Sequence, residues 1–352
     1  MKFLFGIGVE KCGTTAVNAA LARSPRFNTP RNKETFYFSH HYARGTAYYE
    51  SLYPRPFAEV DGVNVDITPM YFRRQEALDR MESFPCDHRI LLVLRCPLRR
   101  AWSAYLQEIR NQVATGNRSN GFARPMDASF SGSFERADPY LFTRYANLVA
   151  NTRRRFGVER CRVLLFEAML ADWPSEAAGL DSLCGFDSPV AATLPLPHAN
   201  PAGRVPRIFD HVKETDGSIT MAQKIGGTVR VHYGLDETRL DNALRLHDSF
   251  EHEVGEALQR AIRDYFADDV ARVGQMLDRS LDAWLQPGCL RAEVEPVTAS
   301  DHRLFRALRR KGAVEMPAPW PARYIKRLAK SRAGTGARVV FRWKFGGRRG
   351  PR

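Results

Sequence analysis

Lys11, Gly13, Thr14 and Thr15 stand where chemistry is easiest to build. In FLFGIGVEKCGTTAVNAAL, residues 3–21, an apolar run meets a Gly-x-Gly-x-x-Lys-x-Gly-Thr-Thr turn and then an Ala- and Leu-rich helical pattern. A strand, a glycine-containing loop and a helix N-terminus make an anion site. Backbone N–H groups converge there, the first helical turn leaves donors unsatisfied, and the helix dipole adds partial positive charge. Phosphate is the expected guest. Nucleotide hydrolases place a lysine directly before Ser/Thr so that the hydroxyl binds magnesium. Here Lys11 precedes Gly13-Thr14-Thr15 by two positions and no Gly-Lys-Thr triplet exists. The loop is expected to hold a phosphate without a metal-bound triphosphate. Read alone, the turn also suits a plain strand-to-helix connection with a threonine cap and a solvated lysine.

A second stretch, LLVLRCPLRRAWSAY, places Arg95 at the end of an apolar strand, Pro97 at the start of a helix and Ser103 two turns on. Arg95 and Ser103 can face one phosphate from the strand end and the helix flank. By themselves they also fit an ordinary strand-terminal arginine and a helical serine.

The elements that must carry these residues alternate. Short apolar runs and helical stretches follow one another through the early half, as βαβ units and a parallel sheet require. KFLFGIGV, VNVDITPMY, RILLVLR and CRVLLFEAML read as strands, and RILLVLR is apolar enough to be buried on both faces. Helical patterns cover residues 72–81, the segment from Pro97, and residues 140–156 and 236–285. Residues 112–139 read as a long surface loop of the kind that forms lids and binding walls. Residues 194–234 show few regular patterns. Three prolines, Pro317, Pro319 and Pro321, follow a change of character near residue 290. The expected division is therefore a domain over 1–290 and a basic extension over 291–352, partly disordered or bound to a membrane surface.

At 352 residues and 44% apolar composition the chain can bury a real core. The net charge of +14 lies wholly in the tail: residues 301–352 hold 16 Lys and Arg against Asp301 and Glu315. A balanced body with a basic tail is not the profile of a fold that is itself a nucleic-acid footprint. Six scattered cysteines lack C-x-x-C spacing, so neither zinc nor a disulfide framework is signalled. No run of eighteen apolar residues occurs, and a strand starting at Phe3 leaves no room for a leader, so a cytoplasmic location is expected.

Together the motifs resemble the sulfotransferases that use 3′-phosphoadenosine 5′-phosphosulfate (PAPS). Gly8, Lys11, Gly13, Thr14 and Thr15 match that family's 5′-phosphosulfate loop. Arg95, Pro97, Arg100, Ser103 and Tyr105 match its R-x-P-x-x-R-x-x-S-x-Y block, which binds the 3′-phosphate. KETFYF is similar to K-E-x-x-F-F, DITPMY to E-x-T/S-P-x-Y, VLLFEAMLAD to the F-E-D-L strand, and YFADDVARVGQMLDRSLDAW to the closing helix. The likeness covers about residues 3 to 285 and looks closest to the heparan sulfate branch and its bacterial relatives. It implies an α/β fold, three-layer αβα with a central, mostly parallel, P-loop NTPase-like sheet.

The resemblance further implies PAPS as co-substrate, its spent form PAP as product, and no metal. Lys11 would stabilise the leaving phosphate oxygen, with backbone amides from Cys12 through Gly13, Thr14 and Thr15 to Ala16, and Glu34 would be the general base. His40 and His41 offer an alternative base, and Glu34 paired with Lys33 on the surface is the plainer reading of that carboxylate. Arg95 and Ser103 would hold the 3′-phosphate. The remaining contacts would come from HANPAGRVPR, with Arg204 and Arg207, or from QKIGGTVR. Phe36 stands where the heparan branch often has His, and Ile67 where several members have Lys, so the acceptor side departs from the family. Carbohydrate is the preferred acceptor, ahead of a glycolipid or small natural product. The tail, which interleaves Arg and Lys with aromatics, suits an anionic membrane surface, and equally a solvated segment. Rival classes are a P-loop nucleotide kinase or hydrolase, and a nucleic-acid or anionic-polymer binder acting through the tail.

Overall fold

The four segments read as strands form four strands of one sheet, and a short fifth strand, Phe27–Asn28, joins them. The computed structural model describes residues 1–115, 129–197, 204–205, 207–225, 227–294, 296–312 and 315–317, which fall into two compact units. The first comprises residues 1–104, 134–201 and 255–289. Along the chain β1 (Lys2–Gly8) leads into α1 (Thr14–Leu21) and β2 (Phe27–Asn28). A π-helical turn (Tyr37–His41), α2 (Gly45–Ser51), β3 (Val63–Ile67), α3 (Gln75–Glu82), β4 (Asp87–Leu94) and α4 (Pro97–Thr115) follow. Then come α5 (Phe130–Glu135), α6 (Ala146–Phe156), β5 (Cys161–Leu165), α7 (Phe166–Ala171) and α8 (Trp173–Cys184). The strands form one wholly parallel sheet in the order β2-β3-β1-β4-β5, flanked by helices, as the resemblance implies.

That order creates a site. From β1 the chain turns toward β2 and β3, and from β3 it crosses β1 to reach β4. Between the C-terminal ends of β1 and β4 the connections diverge, which is where ligands settle in open α/β sheets. On one face of β1, Phe3 and Phe5 pack with Phe38, Tyr49, Phe57 and Phe84, ring centroids 4.9–6.0 Å apart. This aromatic cluster fixes the KETFYF segment against the sheet.

The second unit comprises residues 105–133, 202–254 and 290–352. Here the expectation of an irregular 194–234 segment is corrected: β7 (Arg207–Lys213), β8 (Ile219–Ile225) and β9 (Thr228–Leu235) form an antiparallel meander, joined by β11 (Glu315–Pro317) in the order β11-β9-β8-β7. The signal was present, because Asp216-Gly217 between two alternating runs is a hairpin turn. β6 (Arg204–Val205) pairs with β10 (Glu293–Val294). Helix α9 is Glu237–Ser249, and α10 (Glu256–Leu277) belongs to the first unit. Within the expected extension, α11 (Ala299–Lys311) sets Leu304, Phe305 and Leu308 against Ala222, Val229 and Val231, and Asp301 pairs with Lys224 at 2.9 Å. The aromatic and basic stretch from residue 318 onward lies outside the described residues, as do 116–128 of the expected loop. Among the described residues no helix is long and apolar enough to cross a membrane.

One buried carboxylate links the closing helix to the site. The amides of Tyr145 and Ala146, at the start of α6, donate to Asp269 of α10 at 2.6 and 3.0 Å. Asp269→Ala leaves both amides without this acceptor and should lower stability by about 1–2 kcal/mol, as for a lost helix cap. Chemical denaturation checks it; an unchanged midpoint would refute the capping role.

Candidate active site

The loop after β1 takes its shape from Glu10. Its carboxylate, 8% exposed, accepts from Arg73 Nε at 2.9 Å and lies 3.4 Å from Arg100 Nη2. Arg100 is wholly buried and donates also to the carbonyls of Glu10 (3.1 Å), Tyr140 (2.6 Å) and Leu141 (2.9 Å). This second arginine of the R-x-P-x-x-R block therefore builds the loop, a role its place in the motif did not disclose. With Glu10 pinned, Lys11 adopts a left-handed backbone (φ 67°) and Gly13 another (φ 93°). At Gly13 a side chain would strike Phe166, since a Cβ there would lie 2.5 Å from the ring. Only glycine fits.

The amide of Ala16 donates to Gly13 O at 2.9 Å, so Ala16, expected to give its N–H to the anion, spends it closing the first turn of α1. Thr14 is buried and Thr15 half-buried at that N-terminus. Cys12 is fully buried beside Tyr145, and desolvation pushes its thiol up to about 12 despite the nearby charges of Arg100 and Arg95. Burial thus denies Cys12 the exposed thiolate that a reactive cysteine needs.

Arg95 meets this loop. β1 and β4 pair through Gly8 and Leu92, and Val9 N donates to Val93 O at 3.0 Å. Past β4, Arg95 Nη1 donates to Lys11 O at 3.2 Å and its guanidinium lies over the Phe166 ring, 4.7 Å from the centroid. Tyr145 holds the Arg95 carbonyl at 3.0 Å. Arg95 Nε is buried without a hydrogen-bond partner, an orphan donor beside the loop. A cavity of about 430 Å³ opens next to it, lined among others by Arg95, Arg99, Phe166, Glu167, Arg279 and Trp284. Glu167, the acid of the F-E pair, braces this wall by accepting from Cys96 N and Trp284 Nε1, both at 3.1 Å. Ser103 is buried on α4, two turns beyond Arg95.

The third motif packs on the end of β3, where Thr35 Oγ1 donates to Asp66 Oδ2 at 2.7 Å. Glu34 (φ 67°) and Phe36 (φ 51°) are left-handed, and Lys33 Nζ donates to Glu34 Oε1 at 2.5 Å. Of five non-glycine residues with positive φ among those described, three are Lys11, Glu34 and Phe36. Such strain persists where surrounding structure enforces it, and it gathers at functional sites. Ile67 is buried over Gly6, where a Cβ would meet it at 2.8 Å, so this position offers the acceptor nothing polar. His40 is held below the usual imidazole range, first by burial and then by Arg74 and His41. Arg204 and Arg207 lie in the second unit, Arg204 on β6 and Arg207, exposed, on β7. The site described here is made by the first unit alone: it brings Lys11, Gly13 and Arg95 into one cluster.

Labelling with iodoacetamide at pH 8 should modify exposed Cys289 in the native protein and Cys12 only after denaturation. Equal native labelling of the two would contradict the buried, protonated thiol.

No model of a known protein family matches the chain. It is 36% identical over 104 residues, 29% of its length, to the human heparan sulfate glucosamine 3-O-sulfotransferase 6, and 35% identical over 104 residues to the human 3-O-sulfotransferase 3B1. The matches cover 29% and 26% of those two proteins, so the chain spans under a third of the relatives it matches. A sulfotransferase from Alicyclobacillus acidocaldarius shares the fold, with a TM-score of 0.51 and 21% identity, over 81% of this chain and 99% of that one. A stretch of 104 residues is thus similar to heparan sulfate sulfotransferases, and the chain shares its fold with a bacterial sulfotransferase.

Proposed function

We propose that this protein transfers a sulfuryl group from PAPS to a hydroxyl or amine of a carbohydrate or glycolipid. The observation that carries the reading is the Arg95 guanidinium donating to the Lys11 carbonyl at 3.2 Å, which joins the two motifs that would grip opposite ends of the nucleotide.

The residues suit such a guest. Gly13 lets the loop turn past Phe166, Lys11 and the threonine hydroxyls supply charge and donors, and Arg95 lines the adjoining cavity. The adjoining cavity, with Arg99 and Arg279 on its wall, has room for the far end of a nucleotide. Ser103 would assist Arg95, and Arg204 and Arg207 remain our assignment for additional contacts. PAPS when bound supplies the activated sulfuryl group; the chain supplies position and field. Lys11 and the amides at the start of α1 neutralise charge that builds on the leaving phosphate oxygen, and a preorganised field of that kind is a large part of such catalysis. Glu34 receives the acceptor's proton while Lys33 orients its carboxylate. Heparan sulfate in the names of the relatives supports a sugar acceptor, and the apolar Phe36 and Ile67 argue for one recognised differently from theirs. A cytoplasmic location, and contact of the basic tail with an anionic membrane surface, complete the proposal.

Calorimetry with PAP should show binding, weakened about ten- to hundredfold by Arg95→Ala, the loss of one charge-assisted interaction. Incubating the protein with labelled PAPS and polysaccharide, lipid and small-molecule fractions should label one fraction. Lys11→Ala and Glu34→Gln should each lower kcat by at least about a hundredfold, and Glu34→Gln should leave PAP binding unchanged. Absence of PAP binding, or turnover within a few-fold in Glu34→Gln, would overturn the corresponding assignment.

A further inference from the structure

Asp66, in the middle of the DITPMY segment, is completely buried and yet surrounded by hydroxyls. Its Oδ2 accepts from Thr35 Oγ1 at 2.7 Å, Tyr49 OH at 2.9 Å and Tyr71 OH at 3.1 Å, and its Oδ1 accepts from Thr68 Oγ1 at 2.7 Å. Burial pushes the carboxyl above the usual range and the four donors pull it back. Each of these hydroxyls donates to the carboxyl and so points its hydrogen inward. Their remaining lone pairs then face outward.

The outward lone pairs of two of them have a definite use. Thr35 Oγ1 accepts from Tyr37 N at 3.2 Å, and Tyr71 OH accepts from Phe38 N at 3.3 Å. These amides follow directly on Glu34, Thr35 and Phe36, the segment whose backbone is left-handed at both ends. A left-handed non-glycine residue costs on the order of 1–3 kcal/mol and persists only where its surroundings over-determine it. Asp66 is the common partner of the groups that do so. The chain from Tyr71 also continues through a short helical turn to Arg73, which holds Glu10 beside Lys11.

We propose that Asp66 is a positioning residue: through the hydroxyls of Thr35 and Tyr71 it fixes the backbone that aims the Glu34 carboxylate, and so sets the rate of proton removal without touching the reactants. This rests on the reading of Glu34 as the general base.

The test is a double-mutant cycle with labelled PAPS, using heparan sulfate and whichever fraction takes up label as acceptor. In Asp66→Asn an amide donor confronts hydroxyl donors. In Thr35→Val the acceptor for Tyr37 N is lost while three of the four donors to Asp66 remain, so this variant carries the test if Asp66→Asn does not fold. Each should lower kcat about ten- to hundredfold, the cost of a misplaced catalytic group, with PAP affinity and acceptor KM within about twofold. In a Glu34→Gln background neither should cost anything more. Losses of equal size with and without Glu34 would show that Asp66 serves the fold alone, and kcat within twofold in both single variants would overturn the inference outright. Turnover surviving Glu34→Gln would remove the base assignment and this inference with it, whereas additive losses remove only the inference. Hydrogen exchange needs no acceptor: the amide of Tyr37 should exchange at least tenfold faster in Thr35→Val, and that of Phe38 in Tyr71→Phe, while those of β1 do not, and unchanged exchange would overturn the proposal.

Discussion

The ion pairs of Glu10 are the constraint on which the site depends. One carboxylate, almost out of solvent, faces Arg73 on one side and fully buried Arg100 on the other. Removing charges from water is costly, and a buried pair survives only where additional hydrogen bonds satisfy what remains. Arg100 meets that condition by reaching three carbonyls besides the acid. The consequence is a loop that cannot relax: Lys11, the next residue, is held left-handed, and Gly13 faces the ring that Arg95 covers. Charge is thus assembled at the end of β1 by the fold itself.

A second buried carboxylate, Asp66, does for the KETFYF segment what Glu10 does for the first loop. The two acids are satisfied differently. Glu10 has cations, and Asp66 has neutral hydroxyls whose orientation it dictates. The helical turn after β3 connects them, because Tyr71 bonds Asp66 and Arg73, two residues on, bonds Glu10. The loops that carry Lys11 and Glu34 are therefore braced by one short stretch of chain rather than independently.

Much of this was legible in residue order. RILLVLR could be read as a doubly covered strand because the five residues between its arginines are all apolar, and these, Ile90 to Leu94, are buried in β4. The Gly-x-x-Lys-x-Gly-Thr-Thr turn read as a strand-to-helix connection, and it joins β1 to α1. What was not legible concerns partners distant in sequence. Arg100 reads like Arg95, one a builder of the loop and the other facing the cavity, and only the packing around them separates the two. The amide of Ala16 looks like its neighbours' until the turn closes on Gly13. The meander at 207–235 was missed because its alternating runs carry charges on one face, although its Asp-Gly turn gave it away.

Local pattern determined which segments became strands and helices, and which loops could receive an anion, since burial on both faces and the φ freedom of glycine are properties of short stretches. Tertiary structure alone decided what those loops became. Strand order set the ends of β1 and β4 side by side, and two buried acids, Glu10 bonded to Arg73 and Arg100 and Asp66 bonded in part to distant Thr35 and Tyr49, fixed the backbone of the groups that would act. A hydrogen bond between residues 11 and 95 has no signature in either neighbourhood; it exists because the sheet brings them together.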